Sequence, residues 1–286
     1  SNITTSTDNG QRKLPLSTKL AFGIGASGEA IYLGLSNAFI VIFYNQVIGL
    51  NNALIGFAVA LALAGDAISD PLVGIISDRW RSRLGRRHPF LIAAPVPMAI
   101  SLYFIFNPPQ WLLDMSSQMA LFVWLSIWII VSRTVMTLFN VPHLALGGEL
   151  SKDQHERSQL FSANAIFGGI SGAGFGFVAY SFFFADEVVR ASDGALVPGH
   201  LAAESYGPLI LTACALVVIT IWTCAAGTAK EIPYLSKADR QANRLKLKEF
   251  FYEILSTLRN RNYLVILIGY FFFMIASGIY DTLNIH

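Results

Sequence analysis

The chain has 286 residues, of which 54% are hydrophobic and only 13% charged, with a formal net charge of +2. Soluble domains are about a quarter charged, so this composition, with a mean hydropathy of +0.53, excludes an ordinary soluble fold. The slight positive balance does not point to a nucleic-acid partner, because the basic residues are sorted by loop and not gathered into one patch.

A helix that crosses the hydrocarbon core needs about 20 mostly apolar residues. Runs of that kind predict seven spans, at 20–48, 53–77, 89–107, 118–147, 159–185, 207–229 and 263–284. The expected fold class is all-α and polytopic, with membrane lipid as its surroundings. It falls into a tail (1–19), a six-helix bundle (20–229), a linker (230–261) and a seventh helix (262–286). The tail, SNITTSTDNGQRKLPLS, lacks the apolar core of a signal peptide.

Span one contains Gly23, Gly25 and Gly28 at the spacing of a dinucleotide-binding loop. No strand precedes them and they lie in an apolar run, so close helix contact is the expected role. Glu29 follows as a carboxylate inside the membrane.

Span two carries Asp66 and Asp70 four residues apart on one helix face, with Gly74 and Ser77 continuing the stripe and Pro71 beside it. A carboxylate near the membrane centre costs about 2.5–3.5 kcal/mol on insertion scales. Two on one face repel unless a cation or proton sits between them, so the pair is expected to be an ion site. The alternative is that both carboxylates salt-bridge a neighbouring helix. After this span, Gly74, Asp78, Arg79, Gly85, Arg86 and Arg87 form a glycine–aspartate–arginine loop.

In span four, Arg133, Thr137, Asn140 and Leu144 share a face, with Pro142 and His143 close behind. An Arg133–Glu29 pair is expected, since it reduces the burial cost of both charges. His143 is read equally as a structural hydrogen-bonding residue and as a solute contact. In span five, Gly168, Gly172 and Gly176 give a smooth face for packing. In span six, Cys214 and Cys224 lie ten residues apart, roughly 15 Å along a helix, which is too far to bridge; they are read as packing residues. The linker, KADRQANRLKLKEFFYEILSTLRNRN, mixes basic and apolar residues in the pattern of an amphipathic surface helix.

Of the 20 Lys and Arg, all but Arg133 and Arg190 fall in the tail, the 79–87 loop, the 152–157 loop and the linker. By the positive-inside rule these segments, and the N-terminus with them, are cytoplasmic. No nucleophile–base constellation or metal-ligand cluster is apparent, and His88, His143 and His155 are scattered, so an enzyme is not expected. The chain starts without Met and ends at His286, near the end of the seventh span, which reads as an incomplete protein.

Gly74-x-x-x-Asp78-Arg79 followed by Gly85-Arg86-Arg87 resembles the loop signature between the second and third helices of the major facilitator superfamily. With "DAISDP", "SDRWRSRLGRRHPF", "TLFNVPHLALGGEL" and "KDQHERSQL", the chain is similar to the glycoside–pentoside–hexuronide:cation symporters over the first half of a twelve-helix fold. The resemblance implies an N-terminal six-helix bundle plus the seventh helix, with the second half missing. It implies a cation site at Asp66, Asp70 and Thr137, with Asn140 where the family has an aspartate serving cation and sugar. The family's sugar-clamping arginine falls near Ala165, beside Asn164, and Arg133 is a candidate replacement from another helix. Glu29 aligns approximately with the helix-one sugar aspartate.

Solute-binding candidates are therefore Glu29, Arg133, Asn140, His143 and Asn164, and the 74–87 loop is the candidate cytoplasmic gate. There Asp78 is expected to fix the local backbone, while Arg79, Arg86 and Arg87 make inter-helix contacts. The expected function is symport of a sugar or glycoside with Na⁺ or H⁺ across the inner membrane by alternating access, without an organic cofactor. Rival readings are a lysolipid or other organic-solute carrier and a non-transporting membrane sensor or assembly subunit. Half of a carrier lacks half of the central cavity, so these residues alone are not expected to transport.

Overall fold

A computed structural model describes residues 13–184, 187–190 and 194–235, together with positions 261, 264, 265, 268, 269 and 272. The chain divides into two units, Ser1–Ala238 and Asp239–His286. The six described positions from 261 onward are helical, and the rest of the expected seventh span, with the linker from 236 to 260, lies outside the described residues.

In lipid every backbone polar group needs an internal partner, which leaves the helix as the form these apolar runs can take. α1 (Leu16–Val41) continues through a π-helical turn at Ile42–Val47. α2 (Asn52–Arg79) starts where the Asn51 side chain accepts the Ala53 N–H at 2.8 Å, and it runs through Pro71 unbroken. The third span is divided: α3 (His88–Ala93) and α4 (Pro95–Phe106) meet at Ala94, because Pro95 brings no N–H, and a short α5 (Gln110–Asp114) follows. α6 (Gln118–Leu150) is capped by Ser117, and α7 (Gln154–Val178) by Asp153, whose carboxylate accepts the Glu156 N–H at 2.8 Å. α8 (Tyr206–Thr228) runs into a 3₁₀ stretch, Ala229–Tyr234.

Among the described residues six helical stretches are long and apolar enough to cross a membrane: Leu16–Val47, Asn52–Arg79, His88–Asp114, Gln118–Leu150, Gln154–Phe183 and Ala203–Tyr234. They coincide with the first six expected spans. The fifth starts five residues before its expected position, because the polar turn Gln154–Ser158 is capped helix that hydropathy alone does not register. One small departure from an all-α chain is a hairpin, β1 (Val188–Val189) against antiparallel β2 (Leu196–Val197), between the fifth and sixth spans.

α1 packs between α7 and α8, α2 packs along α6, and α4 touches both α6 and α8. Glycines make the closest approaches possible. A methyl group on Gly23 would lie 2.8 Å from Phe167 of α7, one on Gly25 2.8 Å from His143 of α6, and one on Gly28 2.7 Å from Thr220 of α8. Gly168 and Gly172 lie over Ala26 and Ala30 of α1, whereas a methyl group on Gly176 would meet no described residue of another element within 4 Å, so Gly176 is not part of the expected packing stripe. Both cysteines are free: Cys224 is buried, and Cys214 donates to the Ala99 carbonyl at 3.2 Å. At the far end from the chain's start, Phe43 and Phe106 close on Tyr206, with ring centroids 4.8 and 5.9 Å away.

Candidate functional site

α2 and α6 run side by side with their polar stripes facing each other. The Arg133 guanidinium donates from Nε to Asp66 Oδ2 at 2.7 Å, and its Nη2 lies 2.5 Å from the same oxygen. One turn along, the Thr137 hydroxyl donates to Asp70 Oδ1 at 2.7 Å. Both bonds join residues 67 apart in sequence. Each helix presents its polar residues four apart, so a single register serves both rungs.

The third wall is α1. Asn140 donates to Glu29, and the hydroxyls of Tyr32 and Ser132 are hydrogen-bonded. Between the three helices is a cavity of about 170 Å³, lined by Asp66, Asp70, Arg133, Thr137, Asn140 and Tyr32, with Leu33, Met136 and Val141 as its apolar part. The expected Arg133–Glu29 pair is corrected here: the guanidinium takes Asp66, and Glu29 takes a neutral amide. Sequence shows which residues share a face, but not which helix that face meets.

His143 and Asn164 are placed elsewhere. The imidazole Nε2 is hydrogen-bonded to Asn164 at 2.9 Å, and the ring is stacked between Phe22 and Phe139 at centroid distances of 4.3 and 4.9 Å. His143 is fully buried, and neither residue lines the cavity described above. The pair holds α6 to α7 behind Gly25.

The 74–87 loop builds a second polar cluster. Gly85 has φ +77°, a left-handed conformation that favours glycine, and Ser82 closes the turn by donating to the Gly85 carbonyl at 2.7 Å. The chain thereby turns back so that Arg87 sits beneath α2. Arg87 donates to Ser77 at 2.6 Å, to Asp78, and to Glu149 of α6 at 2.9 Å. Arg86 also reaches Glu149, at 2.9 Å. Asp78 thus holds a side chain, the Arg87 guanidinium. Arg79 ends α2, and a methyl group on Gly74 would lie 3.8 Å from Val141 of α6.

Glu149 was not singled out from the sequence. Its signal was a carboxylate near the end of span four, opposite an arginine pair for which Asp78 supplies only one carboxylate. Tyr32 and Ser132 were also missed, being unremarkable in sequence until α1 and α6 meet. A comparable clasp joins the start of α1 to α7, where Glu156 accepts the Leu14 N–H at 3.0 Å and Lys19 at 3.2 Å.

A sodium ion at the α2 carboxylates needs oxygen donors whose charge is not already balanced. Asp66 is already paired with a guanidinium, whereas Asp70 accepts a hydrogen bond from a neutral hydroxyl and keeps its charge. The arrangement does not fit a sodium ion at Asp66.

The family model for MFS/sugar transport proteins matches residues 21–285. The chain belongs to the glycoside–pentoside–hexuronide:cation symporter family of the major facilitator superfamily. It is similar to an uncharacterized symporter of Synechocystis (34% identical over 54% of this chain and 29% of that protein). It is also similar to the inner membrane symporter YicJ of Escherichia coli (29% identical, 52% and 31%). A third relative is the sodium-dependent lysophosphatidylcholine symporter 1 of Xenopus tropicalis (28% identical, 54% and 28%). The matched stretch spans less than a third of each relative's own length. Like other members of this major facilitator branch, the chain is an integral membrane protein, and its α2–α6 seam carries a half-buried ion pair within the spans.

Proposed function

We propose that the protein is the N-terminal part of a secondary transporter that couples a cation to the movement of a sugar or glycoside by alternating access. The observation that carries this is the polar cavity between α1, α2 and α6, which brings two carboxylates and one guanidinium together within apolar helices. Charged groups inside a membrane bundle mark ion or solute pathways. Family membership and the symporters among its relatives support the reading.

In this reading Asp70 and Thr137 lie on the cation side of the cavity, and Arg133 and Asn140 on the solute side, with Glu29 behind Asn140. His143 and Asn164 shape the solute side from behind, through α6 and α7. Arg86, Arg87, Asp78 and Glu149 form the cytoplasmic gate, and inward movement of one charge contributes about 2.3 kcal/mol per 100 mV. The N-terminus and the 79–87 loop are cytoplasmic, in a cell or inner membrane. No catalytic step is assigned.

The test is uptake by the whole protein in proteoliposomes, with sugars screened under imposed Na⁺ and H⁺ gradients. Asp70→Asn is expected to abolish gradient-driven uptake while membrane insertion is retained. Gradient dependence that is the same in Asp70→Asn and in wild type overturns the proposal. A lysolipid is the second reading, favoured by the lysophosphatidylcholine relative and by the apolar part of the cavity. Uptake indifferent to sugars but saturable by lysophosphatidylcholine selects it.

A further inference from the structure

The cavity contains a positive charge of its own, and cation coupling as proposed makes no use of it. Arg133 crosses from α6 and sets two nitrogens on one oxygen of Asp66, at 2.7 and 2.5 Å. The two side chains are 28% and 18% exposed, so the pair is largely withdrawn into the bundle. It is held there by helix register, since Thr137 engages Asp70 one turn along the same two helices. The other groups facing the pair are engaged too: Tyr32 with Ser132, and Asn140 with Glu29.

A sodium ion and a guanidinium make the same offer to a carboxylate, one positive charge directed at oxygen. The guanidinium is tethered, so its effective concentration at Asp66 is that of an intramolecular partner and does not depend on the salt outside. A free cation arriving at Asp66 has to displace Arg133 into a cavity whose remaining charge is a single carboxylate on α2, with Glu29 behind Asn140.

We propose that Arg133 is a built-in cation that occupies the Asp66 seat and excludes sodium from this cavity. Arg133 is thereby the residue that sets which ions the site accepts. Removing it opens a sodium site on Asp66 and Asp70. The inference rests on the cation-coupled reading of the cavity, yet it is tested without transport.

The whole protein is purified in detergent, and its thermal unfolding is followed in sodium chloride and in choline chloride at equal ionic strength. The wild type is expected to unfold at the same temperature in both salts. Arg133→Gln and Arg133→Met are each expected to gain sodium-specific stabilisation of about 5 °C, and adding Asp66→Asn is expected to remove it. Sodium-specific stabilisation of the wild type overturns the proposal, as does a folded Arg133 variant that gains none. If neither variant folds, the wild-type comparison decides alone. Because this readout needs no solute and no gradient, a failure to detect uptake counts against the transporter reading and leaves the ion-exclusion result intact.

Discussion

Arg133 on α6 lies 2.7 Å from Asp66 on α2, and the same sequence separation of 67 residues joins Thr137 to Asp70 one turn later. Gly74 against Val141 continues the series, since 141 − 74 is again 67. Two helices therefore run parallel and in register over more than two turns, and the ion pair is a consequence of that register. Asp66→Asn strands the guanidinium and is expected to destabilise the protein by about 1–3 kcal/mol, less than a fully buried pair because both side chains keep some exposure. The double variant Asp66→Asn/Arg133→Gln is expected to recover most of that loss. Thermal unfolding of the three proteins in detergent measures it, and a double variant no more stable than the single one counts against the pairing.

Thr137 tests the second rung. Thr137→Val keeps shape but removes the donor to Asp70, at an expected cost of about 1 kcal/mol. Thr137→Ser, which retains the hydroxyl, is expected to restore most of it. Equal midpoints for the Val and Ser variants would show that the hydroxyl contributes nothing.

Glu149 joins α6 to the loop through Arg86 and Arg87. Arg87 is only 5% exposed, and Glu149→Ala leaves its guanidinium to Asp78 and Ser77 alone, at an expected cost of about 1–3 kcal/mol. Arg83, exposed in the same loop, is a matched control whose replacement by Ala is expected to stay within about 0.5 kcal/mol. Comparison of their unfolding midpoints separates loop charge in general from this contact.

Packing by small residues makes an opposite pair of predictions. A methyl at Gly25 would lie 2.8 Å from His143 and 2.9 Å from Cys224, so Gly25→Ala is expected to destabilise by about 1–3 kcal/mol. Gly176→Ala on α7 meets open space and gains helix propensity, so it is expected to be neutral or to stabilise by up to about 1 kcal/mol. Only the Gly25 variant is therefore expected to lower the unfolding midpoint.

Orientation is checked with single cysteines in a background lacking Cys214 and Cys224. Arg83→Cys in the basic loop is expected to react with an impermeant maleimide only after the cell membrane is opened. Val189→Cys in the hairpin, 65% exposed, is expected to react in intact cells. The reverse pattern would invert the assigned topology.

Six spans, the four-residue spacing of the α2 carboxylates and the small-residue face of α1 could all be read from the chain alone. The physical reason is that a bilayer imposes length and apolarity on each segment by itself, and helical periodicity assigns residues to faces without reference to a neighbour. What the sequence could not contain was the pairing of those faces. The charge pattern favours Glu29 as the partner of Arg133, Asn164 and His143 read as cavity residues, and Glu149 draws no notice. Only the tertiary structure decided among them, because a polar side chain in a dry bundle takes whichever partner the helix register brings within reach. Here the α2–α6 register puts Arg133 on Asp66, the packing of α1 on α6 hides His143 behind Gly25, and the returning loop lets Glu149 gather its two arginines.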